Sequence, residues 1–212
     1  MARIQEGMHG GFTGKVGKLV GGKWNGIDYV RSIGKRSTTE ATQQQLDHRS
    51  KMALAVSFMK TFKRVVKIGY RDAAVKMSGY NAATRYLFKN AITGESPEYR
   101  IDYSKVMLCR GENRGPIGAK ASSPAAETIT FTWSTRDKSG EVKPTDKAIL
   151  VAYCEAFNVS VFTLQGPDRS TGTGSLEMPE FSGQEVHTWL SFISADGKIV
   201  FDSTYIGAMK IT

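Results

Sequence analysis

The spacing of apolar side chains changes twice along this chain, and the changes mark three regions. In the first, GGFTGKVGKLVGGKWNGIDYVRSIGK (10–35) carries glycine at nearly every third position and an Asn25-Gly26 pair near its centre. Asn-Gly signals a two-residue type I′ hairpin, because both central residues of that turn need positive φ. Strands over about 18–24 and 27–32 then set Trp24 opposite Ile27, Lys23 opposite Asp28 and Gly22 opposite Tyr29. These are an apolar pair, an opposite-charge pair and an aromatic ring over a glycine, all in register. A two-stranded ribbon is marginal in water by itself, and the preceding Gly7, Gly10, Gly11, Gly14 and Gly17 cost entropy to order. The arm is either mobile or laid against another surface.

The second region has helical spacing. Ser37-Thr38-Thr39-Glu40 fits a capping box, and Leu46, Ala53, Val56, Met59, Phe62 and Val66 make one face of a long helix ending at Gly69. Lys60, Lys63, Arg64, Lys67 and Arg71 form a basic stripe on another side. A second helical stretch covers about 71–92, interrupted near Ser78-Gly79, with Ala82, Ala83, Tyr86 and Leu87 apolar and Gly94 as its stop. The pair reads as an αα-hairpin.

From Tyr99 the period falls to two. YRIDYSKVMLC reads as a strand and GENRGPIGAKASSPAAE (111–127) as a loop. After it come ETITFTW, KAILVAYC, VSVFTL, GSLEMP, EVHTWLSFIS and KIVFDSTYIG, the last two joined by an Ala195-Asp196-Gly197 turn. Short β runs at intervals near ten residues argue a β-sandwich. The expected class is therefore α+β. Its regions are a glycine-rich arm and β-hairpin (1–36), a helical region (37–103) and a sandwich (104–212).

Charge sharpens this division. The net charge of +9 is uneven: residues 1–120 carry 22 Lys and Arg against 9 Asp and Glu, while residues 121–212 carry 7 against 11. Such asymmetry suits a polyanionic partner, or a second copy that offers its acidic half to the basic half of its neighbour. No apolar run is long enough to span a membrane, and MARIQEGMHGGF lacks the apolar core of a signal peptide. Cytoplasmic synthesis without membrane insertion is expected, with release in a particle as the route out. Cys109 and Cys154 lie in apolar runs and read as core fillers rather than a disulfide.

Catalytic constellations are missing from the pattern. His9, His48 and His187 fall on an arm, a helix and a strand without a second ligand at metal spacing. No G-x-S-x-G elbow occurs, and GKVGKLVGGK does not match a phosphate loop. Asp168 and Glu177 read as solvated loop charges. Neither an enzyme nor a cofactor is expected.

ITFTW with Trp133, AILVAY with Tyr153, and EVHTWLSFISADGKIVFDS resemble the B, C, F and G strands of a fibronectin type III or immunoglobulin-like domain. Over its whole length the chain resembles an uncharacterised Bacteroidota family, a domain of unknown function, through GKVGKLVGGKWNGIDYVRS (14–32), YNAATRYLFKNAITG (80–94), IDYSKV (101–106) and SADGK (194–198). That likeness implies no activity and no catalytic residues.

The expected function is a non-enzymatic structural protein that self-assembles into a homo-oligomer or a particle, such as a virion component. Lys15, Lys18, Trp24, Asn25, Gly26, Tyr29 and Arg31 are its candidate contact residues. The rival is a basic architectural nucleic-acid binder using Lys60, Lys63, Arg64, Lys67 and Arg71, with the arm following a phosphate backbone.

Overall fold

Turn chemistry builds the first sheet. Strands β1 (Arg3–Ile4), β2 (Phe12–Val16), β3 (Leu19–Trp24) and β4 (Ile27–Ser32) pair in that order, all antiparallel. The β3–β4 register sets Trp24 against Ile27, Lys23 against Asp28 and Gly22 against Tyr29, as the hairpin signal requires. Gly26 takes a φ of 83° in the turn. A Cβ at Gly22 would stand 2.8 Å from the Tyr29 hydroxyl, so the aromatic ring needs a glycine beneath it. Of the glycines expected in the arm, Gly14 belongs to strand β2 and Gly17 to its turn into β3, while Gly7 and Gly10 lie outside the described residues.

The computed structural model describes residues 3–4, 11–24, 26–35, 38–111, 113–136 and 142–212. They form two compact units, Met1–Gln43 and Gln44–Thr212. The four-stranded sheet lies in the first unit. Asn25 and Ser37, from the expected turn and capping box, lie outside the described residues, as does His9.

Helices α1 (Gln43–Thr61), α2 (Lys63–Gly69) and α3 (Gly79–Asn90) open the second unit. The single long helix expected here breaks at Phe62, whose φ and ψ are −97° and 14°. Of the expected stripe Met59, Phe62 and Val66 are buried, joined by Ala55, Phe58 and Val65, whereas Leu46, Ala53 and Val56 are exposed. Phe58 carries more apolar area than Val56 and turns its side of α1 inward. Ser78 caps α3 by accepting a hydrogen bond from the Asn81 amide. Gly94 does not stop this helix. It turns the short hairpin of β5 (Ile92–Thr93) and β6 (Arg100–Ile101).

The strand expected over YRIDYSKVMLC ends at Ile101; Tyr103–Lys105 form a 3-10 turn instead. Alternate residues Val106 and Leu108 are nonetheless buried. The backbone there bonds outside any ladder, with the Leu108 amide donating to Ser203 Oγ. The expected loop over 111–127 contains β7 (Lys120–Ala125). Proline is tolerated there because β7 is an edge strand whose register slips between Ser122 and Ala125.

The remaining strands are β8 (Thr128–Thr132), β9 (Lys147–Cys154), β10 (Val159–Thr163), β11 (Thr173–Glu177), β12 (Glu185–Ile193) and β13 (Thr204–Lys210). They form antiparallel sheets of order β11-β8-β7 and β10-β9-β12-β13. This three-plus-four arrangement is a fibronectin III-like sandwich, and with the helices the class is α+β.

Strand β9 explains how the layers join. From Ala148 on, every residue of KAILVAYC is buried. Ala148, Leu150, Ala152 and Cys154 face the second sheet with Ile129, Phe131 and Leu190. Ile149, Val151 and Tyr153 face the helices with Phe58, Phe62 and Trp189. A strand covered on both sides reads as a continuous apolar run. The helices and the sandwich thus share one unit, and the boundary expected at 103/104 falls inside it.

Candidate functional site

In a pleated sheet, directly paired residues project from the same face. The pairs Lys15–Val20, Val20–Arg31, Gly22–Tyr29 and Trp24–Ile27 therefore define one face of the amino-terminal sheet. Its aromatic and apolar side chains lie open: Trp24 is 56% exposed and Ile27 61%. On the opposite face Val16, Leu19 and Val30 are exposed too. Among the described residues, no apolar side chain before Ala55 is buried. Of the seven candidate contact residues, Lys15, Trp24, Tyr29 and Arg31 share the aromatic face. Lys18 and Gly26 occupy the two turns, and Asn25 falls outside the described residues. Among the described residues β4 pairs with β3 alone, so its outer edge offers free backbone groups.

The five basic helix positions divide. Lys60, Lys63 and Lys67 line one depression of about 530 Å³ with Ser78, Gly79 and Tyr80 at the start of α3. Arg64 is exposed but does not line it. Arg71 lies beyond the end of α2, where the stripe can no longer continue. Its guanidinium donates to the carbonyls of Gly197, at 2.8 Å, and Lys198.

The sandwich topology gathers acidic side chains. Strands β8 and β12 begin, and β9 and β11 end, at the same pole. Exposed Glu127, Glu155, Glu177, Glu180 and Glu185 lie at or beside those ends. Asp168 instead pairs with Lys147 at 2.6 Å, near the start of β9. The acidic bias of the second half is thereby concentrated at one end of the sandwich.

The other titratable candidates take structural positions. Cys109 and Cys154 are free and buried, and burial pushes the Cys109 thiol up to about 12. Among the described residues no group of three or more His, Cys, Asp or Glu could hold a metal ion, and no helix is long and apolar enough to cross a membrane. His48 packs against Phe88 with ring centroids 5.1 Å apart. His187 stacks on Tyr103 at 3.7 Å, and its Nδ1 lies 2.9 Å from the Tyr205 hydroxyl.

Burial holds the His187 pKa below the ordinary histidine value, with Glu155 and Glu185 opposing. The unfolded chain therefore takes up a proton that the folded chain refuses. This contribution to stability is complete above an unfolded pKa of about 6.5 and is lost as pH falls toward the folded value. Urea midpoints should consequently drop more steeply between pH 7.5 and pH 5 for the wild type than for His187→Gln, pH values chosen to bracket about 6.5. Equal drops would show that His187 is not the titrating group.

A comparison with family models matches residues 11–207 to the family of unknown function DUF6266. No curated protein matches the sequence. Among solved structures, the chain is similar to the fn3 domain of human collagen alpha-1(XX) chain, at 11% identity and a TM-score of 0.34, over 48% of this chain and 90% of that one.

Proposed function

Because the chain belongs to the family of unknown function DUF6266, whose name carries no activity, we propose from physical grounds that it is a non-enzymatic assembly protein. It self-associates through its amino-terminal sheet. The observation that carries this reading is the aromatic face of that sheet, with Trp24 and Ile27 more than half exposed in a unit whose described residues bury no apolar side chain. Contiguous exposed apolar surface rimmed by charge favours a partner, and Lys15 and Arg31 supply positive charge on the same face. The acidic pole of the sandwich is a complementary surface on a second copy. A contact between two different surfaces is heterologous and propagates head to tail into a ring, filament or particle shell.

Light scattering after size exclusion on nuclease-treated full-length protein tests this. An oligomer should persist without nucleic acid, and Trp24→Glu with Tyr29→Glu should reduce it to monomer while the near-ultraviolet circular dichroism of the second unit is retained. A wild-type monomer, or an oligomer unchanged in the double variant, overturns the reading.

A second reading, nucleic-acid binding, is favoured by the convergence of Lys60, Lys63 and Lys67 on one depression. Replacing all three by glutamate should then abolish retention on nucleic acid. Each lost phosphate contact should flatten the dependence of log affinity on log salt by about 0.9.

A further inference from the structure

A pocket of about 550 Å³ opens between α1, the β6 strand with its following 3-10 turn, and the β9–β10 connection. Its floor is Phe58 and Tyr153, buried to 2% and 4% exposure. Its walls are the half-buried Leu54, Tyr99 and Tyr103, and Glu155 stands among the lining residues. The Phe58, Tyr103 and Tyr153 rings lie against one another at centroid separations of 4.9–6.0 Å, tilted or edge-on rather than stacked. Such packing turns ring faces in several directions.

The polar groups here are already partnered, and one carboxylate among them keeps room for more donors. The Tyr153 hydroxyl donates to Asn158 Oδ1 at 3.0 Å, and Asn158 Nδ2 donates to Ser57 Oγ at 3.2 Å. Arg100, at the rim, pairs with Glu98 at 3.9 Å and is 81% exposed. The Glu155 carboxylate shares a hydrogen bond with Tyr103 and has capacity for further donors. After burial, its charge is the largest influence on both phenols: Tyr103 is raised above the usual range and Tyr153 reaches about 12. The carboxylate therefore acts directly on the aromatic rings of the pocket. Nearby, the Lys51 ammonium lies 4.8 Å from the Phe88 centroid and 6.0 Å from that of Tyr99, an arrangement an external amine would repeat.

The geometry points to a binding site for an alkylammonium group: the aromatic and aliphatic walls take the stem and ring faces, and Glu155 takes the charged head. Ring quadrupoles attract a cation, most strongly where water is excluded, and a carboxylate strengthens the contact by a charge-assisted hydrogen bond. An alkylammonium is what a lysine side chain carries. The pocket sits at the acidic pole, so a lysine from the amino-terminal sheet of a second copy is its occupant; this assignment of the source rests on the assembly reading, whereas the site itself does not.

The test is titration of full-length protein carrying ring-labelled tyrosine with n-butylammonium, and with 1-butanol as the neutral control. Saturable shifts at Tyr99 and Tyr103 with the amine alone, weakened about tenfold in Glu155→Gln, are expected. Equal response to the alcohol, no saturable response, or an unaltered affinity in Glu155→Gln overturns the site. Glu155 is exposed in a turn, so the variant retains its fold. Light scattering in the same titration separates the sources. Dissociation of the oligomer as the site fills supports a lysine of a second copy, and an unchanged oligomer with a filled site overturns that occupant while the site stands as one for a free amine.

Discussion

Replacing Asp146 by alanine should lower the unfolding free energy by about 3–5 kcal/mol, the cost of removing one partner from a buried ion pair. The Arg169 guanidinium lies 3.7 Å from the Asp146 carboxylate, and the two side chains are only 6% and 2% exposed. Phe192 and Phe201 flank the same guanidinium at 3.9 and 4.6 Å from their ring centroids. Removing the carboxylate takes away a counter-charge 3.7 Å from a buried cation that is packed against two rings. It also frees the Lys143 amide, which donates to Asp146 Oδ2 at 3.0 Å. Asp146→Asn separates these losses, since it retains an acceptor for the amide and removes only the charge. Denaturant unfolding measures both variants, and a loss below about 1 kcal/mol for the alanine would place the pair among surface-like ion pairs of little worth.

Gly111→Ala should be comparably damaging, at about 3 kcal/mol or more, for reasons of space alone. A Cβ built there falls 1.5 Å from the Val200 carbonyl oxygen. The segment cannot step back, because the Gly111 amide donates to Asp202 Oδ1 at 3.0 Å, and the Asp202 amide donates to the Asn113 carbonyl at 3.0 Å. Relief requires moving Val200 and Phe201, and both are core residues. Gly34→Ala is the control: apart from its own chain neighbours nothing lies within 4 Å of its Cβ, and its effect should remain within about 0.5 kcal/mol. Thermal unfolding of the two variants side by side checks the contrast.

Gly111 also illustrates what could not be read in one dimension. In sequence it opens a run rich in Gly, Pro, Ser and Ala, which reads as a loop. In space that run lies against residues 200–203 and then enters β7. Local patterns were legible where one partner or one face decided them. The β3–β4 register follows from a two-residue turn, and β9 and β12 follow from long apolar runs. The inward face of α1 was not legible, because Val56 and Phe58 differ by two positions and only the partners across the core select between them. The same holds for the candidate sites. Lys60, Lys63 and Lys67 recur at helical spacing and could be seen. The pocket at Glu155 draws Leu54, Tyr99, Tyr103 and Tyr153 from segments a hundred residues apart, and no periodicity joins them.

The double coverage of β9 has an evolutionary corollary. Fibronectin III-like sandwiches are often treated as transferable modules, yet here Ile149, Val151, Tyr153 and Trp189 line the outer side of the sheet and meet the helices. Cut out and moved to another protein, this sandwich would carry an aromatic and β-branched surface into water and aggregate. Helices and sandwich must be inherited as one piece, in keeping with a family match that runs without interruption from residue 11 to residue 207.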